Sequence, residues 1–136
     1  MAVRVGQKAA RRFVVDHSSM RGFQTISADA SRVHCDESYA RSRGYDGVIV
    51  YGGIMLAQLS HVLGMQLPGP NGTSISWSIK YHRPLYVGEP AELLLEVTHV
   101  SAATGIVESR FCIMAGEKKV ASGTTQSLVP HAEIEA

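Results

Sequence analysis

Val48-Ile49-Val50-Tyr51-Gly52-Gly53-Ile54-Met55-Leu56-Ala57-Gln58-Leu59-Ser60-His61-Val62-Leu63-Gly64 is the stretch whose reading decides the fold. A β-branched run leads into a glycine pair, and the residues that follow are apolar on nearly every side up to Gly64, which suits a helix C-terminal cap. A helix that is apolar all round is expected to be buried all round. From Gly52 to Leu63 it would span about 18 Å at ~1.5 Å per residue, the length of an ordinary globular helix and too short to cross a membrane. Another part of the chain must wrap it.

The wrapper lies downstream. Leu67-Pro68-Gly69-Pro70-Asn71-Gly72 is the densest cluster of breakers and separates a helical first half from a strand-rich second half. From Thr73 onward Ile75, Trp77, Ile79 and Tyr81 alternate with Ser74, Ser76, Ser78 and Lys80, which predicts a half-buried antiparallel strand. Ala91 to Val100, Ile106 to Ala115 and Val120 to Val129 predict three more, joined by turns at Ala103-Thr104-Gly105 and Gly116-Glu117-Lys118. One buried helix followed by a four-strand antiparallel meander implies an α+β fold in which a curled sheet wraps the helix, the hot-dog architecture. Such a sheet keeps its edges, and an exposed edge invites pairing with another chain. A homodimer with a continuous sheet is therefore expected.

Upstream of the helix, Gly6 to Val15 reads as a first strand, and Asp16-His17-Ser18-Ser19 offers N-caps for a short helix over Met20 to Ser27 with Phe23 and Ile26 on its buried side. Asp29 to Asp36 reads as an irregular loop, Glu37 to Ser42 as another short helix, and Gly44-Tyr45-Asp46-Gly47 as a turn. The 136 residues are expected to form one domain over residues 1–136, with 131–136 a flexible tail.

Thirteen basic and twelve acidic residues leave a net charge of +1, which gives no support to a nucleic-acid or membrane-surface role. Met1 to Arg12 contains no apolar run of signal-peptide type, so a cytoplasmic location is expected. Cys35 and Cys112 are too few and too far apart for a disulfide framework or a zinc site, and none of the six histidines has a partner at metal-ligand spacing. No metal and no cofactor are expected.

Asp29 and His34 are the first candidates for chemistry. On one continuous helix they would point about 140° apart, so only a loop or a helix end brings them together. A carboxylate and a neutral imidazole supply a general base and a general acid, or the reverse, for adding water to a polarised double bond. By spacing alone, Asp29 as a helix or turn cap and His34 as a loop histidine satisfied by the backbone is the commoner reading of such residues. Tyr51-Gly52-Gly53 is the second candidate, because free amides at a helix N-terminus hold a carbonyl oxygen that gains negative charge. The same glycines would also serve close packing against a strand. Ser60 falls two turns after Gly52 and is placed either to bond a substrate or to bond the carbonyl one turn back. Lys80, His82 and Arg83 gather at a strand end, where they would meet either phosphate groups or solvent.

Together these residues resemble the MaoC-like family, specifically the single-domain (R)-specific enoyl-CoA hydratases. The family pattern Ser-Gly-Asp-x-Asn-Pro-x-His corresponds to Ser27-Ala28-Asp29-Ala30-Ser31-Arg32-Val33-His34, and its His-Gly before the central helix corresponds to Tyr51-Gly52. Leu67-Pro68-Gly69 and Arg83-Pro84-Leu85-Tyr86-Val87-Gly88-Glu89 also look familial, so that the likeness runs from Gly6 to Pro130. The resemblance implies that Asp29 and His34 activate water and manage the proton at the carbon beside the carbonyl. It also implies that the Gly52 amide receives the thioester carbonyl and that Ser60, Tyr51 and Ser31 lie against the substrate. The substrate implied is a trans-2-enoyl thioester of coenzyme A or of an acyl carrier protein, with the site at a dimer interface. Ser31, Arg32 and Tyr51 depart from the family's Asn, Pro and His. Ser31 makes fewer hydrogen bonds than Asn, and Arg32 frees a backbone angle that proline fixes.

Two other activities stay open at this level. A hot-dog thioesterase would place a carboxylate on or near the central helix, and no acid stands between Tyr51 and Gly64. A non-catalytic thioester-binding subunit is the third reading.

Overall fold

The computed structural model describes residues 2–134. Its sheet has five antiparallel strands in the order β1 (Lys8–Phe13), β3 (Ala91–Val100), β4 (Ile106–Ala115), β5 (Lys118–Leu128) and β2 (Thr73–Tyr81). Four helices separate β1 from β2: α1 (His17–Ser27), α2 (Arg32–Cys35), α3 (Glu37–Ser42) and α4 (Gly52–Met65). The sheet curls around α4, which packs on β1, β2, β3 and α1. This is the expected α+β hot-dog arrangement.

Alternation decides which side of the sheet meets α4. Leu93, Leu95 and Val97 on β3 and Val107, Phe111 and Ile113 on β4 are buried, while Glu92, Glu96 and Arg110 point outward. Against them α4 buries Ile54, Met55, Leu59, Val62 and Leu63. Each such side chain contributes about 1.5–3 kcal/mol by leaving water, so this layer supplies the main stabilising force.

Four sequence expectations change here. The four strands do not form a meander in chain order. Only β3-β4-β5 does, while β2 crosses to pair with β5 and β1 takes the opposite edge beside β3. The link over residues 82–90 is too long for the tight hairpin that would have paired β2 with β3. Secondly, α4 is not buried all round, because Ala57 and Ser60 are exposed on one flank. Thirdly, the helix does not stop at Gly64 but runs to Met65 with Gln66 as its cap, after which the chain turns through a cis Leu67–Pro68 peptide. Fourthly, α1 buries Met20, not Ile26, which is 86% exposed. Phe23 does turn inward, toward Tyr51.

The alternation of β2 is present but its burial is not. As an edge strand it leaves Ile75, Trp77 and Tyr81 exposed, although Trp77 stands in register with the buried Thr125 on the side of the sheet that faces α4. In the stretch expected to be a flexible tail, His131–Glu133 forms a 3-10 turn and Ile134 bridges to Val3. Residues 135 and 136 lie outside the described residues.

Candidate active site

The site begins where α1 ends. Asp16 caps the start of this helix by accepting the Ser19 N–H, and its end is set by Ala28 in the left-handed region at φ 57°, whose N–H donates to the Gln24 carbonyl. That turn throws Asp29 out of the helix. Five residues after Asp29, the single turn α2 carries His34, held from outside by a backbone bond from Ile49 N–H to the Val33 carbonyl. The loop and helix end that a convergence of Asp29 and His34 requires are therefore present.

The carboxylate of Asp29 accepts from the Ser31 N–H at 2.9 Å and from the Ser31 hydroxyl. The Ser31 hydroxyl, followed by the Ser31 amide, holds the Asp29 carboxyl below the ordinary carboxylate range, and the His34 ring adds a smaller electrostatic effect in the same direction. His34 Nδ1 lies 2.8 Å from the Ile49 carbonyl oxygen. A carbonyl only accepts, so Nδ1 carries a proton, and in the neutral form of the ring Nε2 is then the acceptor.

Tyr51 lies behind both residues. It is 2% exposed, its hydroxyl donates to the Asp29 backbone carbonyl at 2.5 Å, and its ring stacks on His34 with centroids 4.2 Å apart and planes at 25°. Phe23 packs on the same ring at 4.7 Å. The single hydroxyl proton is used on Asp29, so the Cys35 thiol, 3.5 Å away, is the donor to the Tyr51 oxygen. Burial, followed by the Cys35 hydrogen bond, pushes the Tyr51 phenol up to about 12, and it keeps its proton at neutral pH. The hydroxyl expected against substrate is thus turned into the protein.

Gly52 opens α4 beside Tyr51. Among the described residues its N–H donates to no protein acceptor, and Tyr51 makes no side-chain cap. The space around the glycine pair is tight. A Cβ at Gly52 would stand 2.6 Å from the Tyr81 hydroxyl, and one at Gly53 would run into the Phe23 ring. Close packing is therefore part of the reason for both glycines, against a helix side chain as well as a strand.

A cavity of about 400 Å³ opens at this corner, lined among others by His34, Gly52, Met55, Tyr81, Arg83 and Leu85. Of the residues expected at the site, His34 and Gly52 line this cavity, whereas Asp29, Ser31 and Tyr51 do not; Asp29 is linked to it through the Tyr51 hydroxyl and the Tyr51 stack on His34. Ser60 is exposed farther along α4 and lines none of this cavity. Tyr81 was not foreseen there, although the period-2 phase of β2 set its side. Arg83 reaches the cavity where the chain leaves β2, from the strand-end group noted in the sequence. Among the described residues no three His, Cys, Asp or Glu side chains could hold a metal ion. No described helix is long and apolar enough to cross a membrane.

A helix wrapped by a curled antiparallel sheet defines a protein of the hot-dog class, here with an acid, an imidazole and a free helix-end amide near the N-terminus of that helix. No protein-family model matches the chain. An (R)-specific enoyl-CoA hydratase of Rhodospirillum rubrum is 29% identical over 94% of this chain and 89% of its own. Among solved structures, an (R)-hydratase of Aeromonas caviae involved in PHA biosynthesis superposes with a TM-score of 0.89 at 26% identity, over 94% of this chain and 98% of that one. A MaoC-like dehydratase of Rhodospirillum rubrum shares the fold at a TM-score of 0.76 and 19% identity, over 93% and 92% of the two chains. The homologues of this chain are thus (R)-specific enoyl-CoA hydratases and MaoC-like hot-dog dehydratases along most of its length, as the sequence motifs implied. They support a hydratase or dehydratase function.

Proposed function

We propose that the chain is a hydro-lyase that adds water across the double bond of a trans-2-enoyl thioester, giving an (R)-3-hydroxyacyl thioester, and catalyses the reverse dehydration. The observation that carries this reading is the corner in which His34 and Gly52 line one cavity, with Asp29 joined to His34 through the buried Tyr51. The thioester carbonyl accepts the Gly52 N–H, which stabilises negative charge on its oxygen as water attacks the third carbon. Asp29 stays ionised and orients the water. His34 Nε2 takes the proton and returns it to the second carbon from the same face, so the addition is syn. Carrying both proton transfers on one group leaves the enzyme unchanged after each turnover, and the step needs no cofactor beyond the coenzyme A or carrier protein that bears the acyl chain. The apolar walls at Met55 and Leu85 suit that chain.

A homodimer belongs to the same proposal. The exposed edge of β2, with Ile75, Trp77 and Tyr81 on its apolar face, fits the matching edge of a second copy and would bury these residues. The Ser60 flank would then be covered as well.

Crotonyl-CoA tests the activity. Loss of the enoyl absorbance without release of free thiol is expected. Thiol release would instead identify a thioesterase, and binding without either change would identify a non-catalytic subunit.

A further inference from the structure

Tyr51 is almost wholly buried, yet it touches both candidate catalytic residues. Its contacts are of different kinds. The hydroxyl fixes the backbone of Asp29 through a buried hydrogen bond, and the ring forms a platform for the imidazole of His34. Both contacts act on parts of the chain that little else holds. Asp29 lies in a loop of three residues between the left-handed Ala28 and α2, where the side-chain bonds of Ser27 and Ser31 are local and exposed. His34 sits on a helix of one turn, which is not stable by itself and takes its place from tertiary contacts. The turn is held by the bond from Ile49 N–H to the Val33 carbonyl, and the His34 ring by the Ile49 carbonyl at Nδ1 and by the Tyr51 ring.

We propose that Tyr51 is the positioning residue of this site, which locks the Asp29 carbonyl and the His34 ring into one rigid arrangement so that carboxylate and Nε2 address the same water. The surroundings of Tyr51 are built for that task. Phe23 backs the ring from α1, Cys35 donates to the phenol oxygen, and burial keeps the phenol protonated so that it always donates to Asp29. In a low-dielectric interior a hydrogen bond of this kind is strong, and a displacement of about 1 Å at a proton-transfer group costs up to ~10²-fold in rate.

This rests on Asp29 and His34 being the acid–base pair, and one set of variants separates the two claims. Tyr51→Phe keeps the stack and removes the hydroxyl, whereas Tyr51→Leu removes both. Hydration of crotonyl-CoA would be followed together with melting temperature and the imidazole ¹⁵N shifts of His34. Tyr51→Phe is expected to lower kcat about 10-fold with KM within about 2-fold, the equivalent of one buried hydrogen bond. Tyr51→Leu is expected to lower kcat by ~10² or more and to mix the two ring tautomers in the ¹⁵N spectrum, since the ring is no longer held toward Ile49. If Tyr51→Leu does not fold, Tyr51→Phe alone decides the question. A folded Tyr51→Phe with unchanged kcat, or a loss confined to KM, would overturn the proposal while leaving the hydratase reading intact. Near-normal turnover by both Asp29→Asn and His34→Ala would remove that reading and this proposal with it.

Discussion

The N-terminal end of α4 and its later flank, together with the neighbouring edge strand, are finished to different degrees. At the first, Asp29 and His34 are tied to Tyr51, and His34 to Ile49, by contacts that the chain makes with itself. At the second, Ala57 and Ser60 are exposed and the apolar face of β2 carries Ile75 at 52%, Trp77 at 38% and Tyr81 at 48% exposure. A single chain thus ties Asp29 and His34 to one buried ring while leaving large apolar side chains in water, and contiguous exposed apolar surface marks an interaction site. In the proposed account the chemistry is preorganised within one subunit, and the remaining wall is left to a partner.

Placing a charge on the open side is the larger perturbation of this contrast. Trp77→Asp would set an unpaired carboxylate in the proposed apolar seam, and the dimer dissociation constant is expected to rise about 10²–10³-fold, measured by sedimentation. The bonds around Asp29 and His34 are internal to the chain and should survive, so far-UV circular dichroism should be unchanged. A dimer of unaltered affinity would break the comparison. On the closed side the expected effect is smaller. Ser31→Ala removes the first-ranked cause of the low carboxyl of Asp29, so the pKa of that group rises toward its ordinary value. Because the ionised form is the active one in this account, the acid limb of kcat/KM is expected to move to higher pH. A limb that stays in place, or moves to lower pH, would show that Asp29 is not the group titrating there.

Much of this architecture was legible in the sequence because it is written in short-range periodicity. The bounds of β3 and β4 are those the alternation predicts, and the capping residue Asp16 marks the start of α1. Pairing order was not legible. Alternation tells β2 which face is apolar but not which strand lies beside it, and its choice of β5 follows from a link too long for a tight hairpin. The burial of β2 was overestimated for a related reason, since an apolar face records that something covers it without recording whether the cover belongs to the same chain.

In the site itself, the need for a loop between Asp29 and His34 was readable from helical geometry, and the turn at Ala28 supplies it. The one-turn helix α2 was not readable, because four residues carry no period and this turn depends on the distant Ile49. The inward turn of Tyr51 was equally hidden. Its two partners are 22 and 17 residues away, and only the folded chain puts them against the same ring. The exposed position of Ser60 in one chain shows the limit of the helical argument, since a spacing of two turns fixes a face of the helix but not what lies opposite that face.

The most direct test of the account is the rate of crotonyl-CoA hydration by His34→Ala, with folding checked by circular dichroism. One positioned proton-transfer group is worth about 10²–10⁴-fold, so kcat is predicted to fall within that range while thiol release stays absent. A folded His34→Ala protein that hydrates crotonyl-CoA at close to the unmodified rate would contradict it.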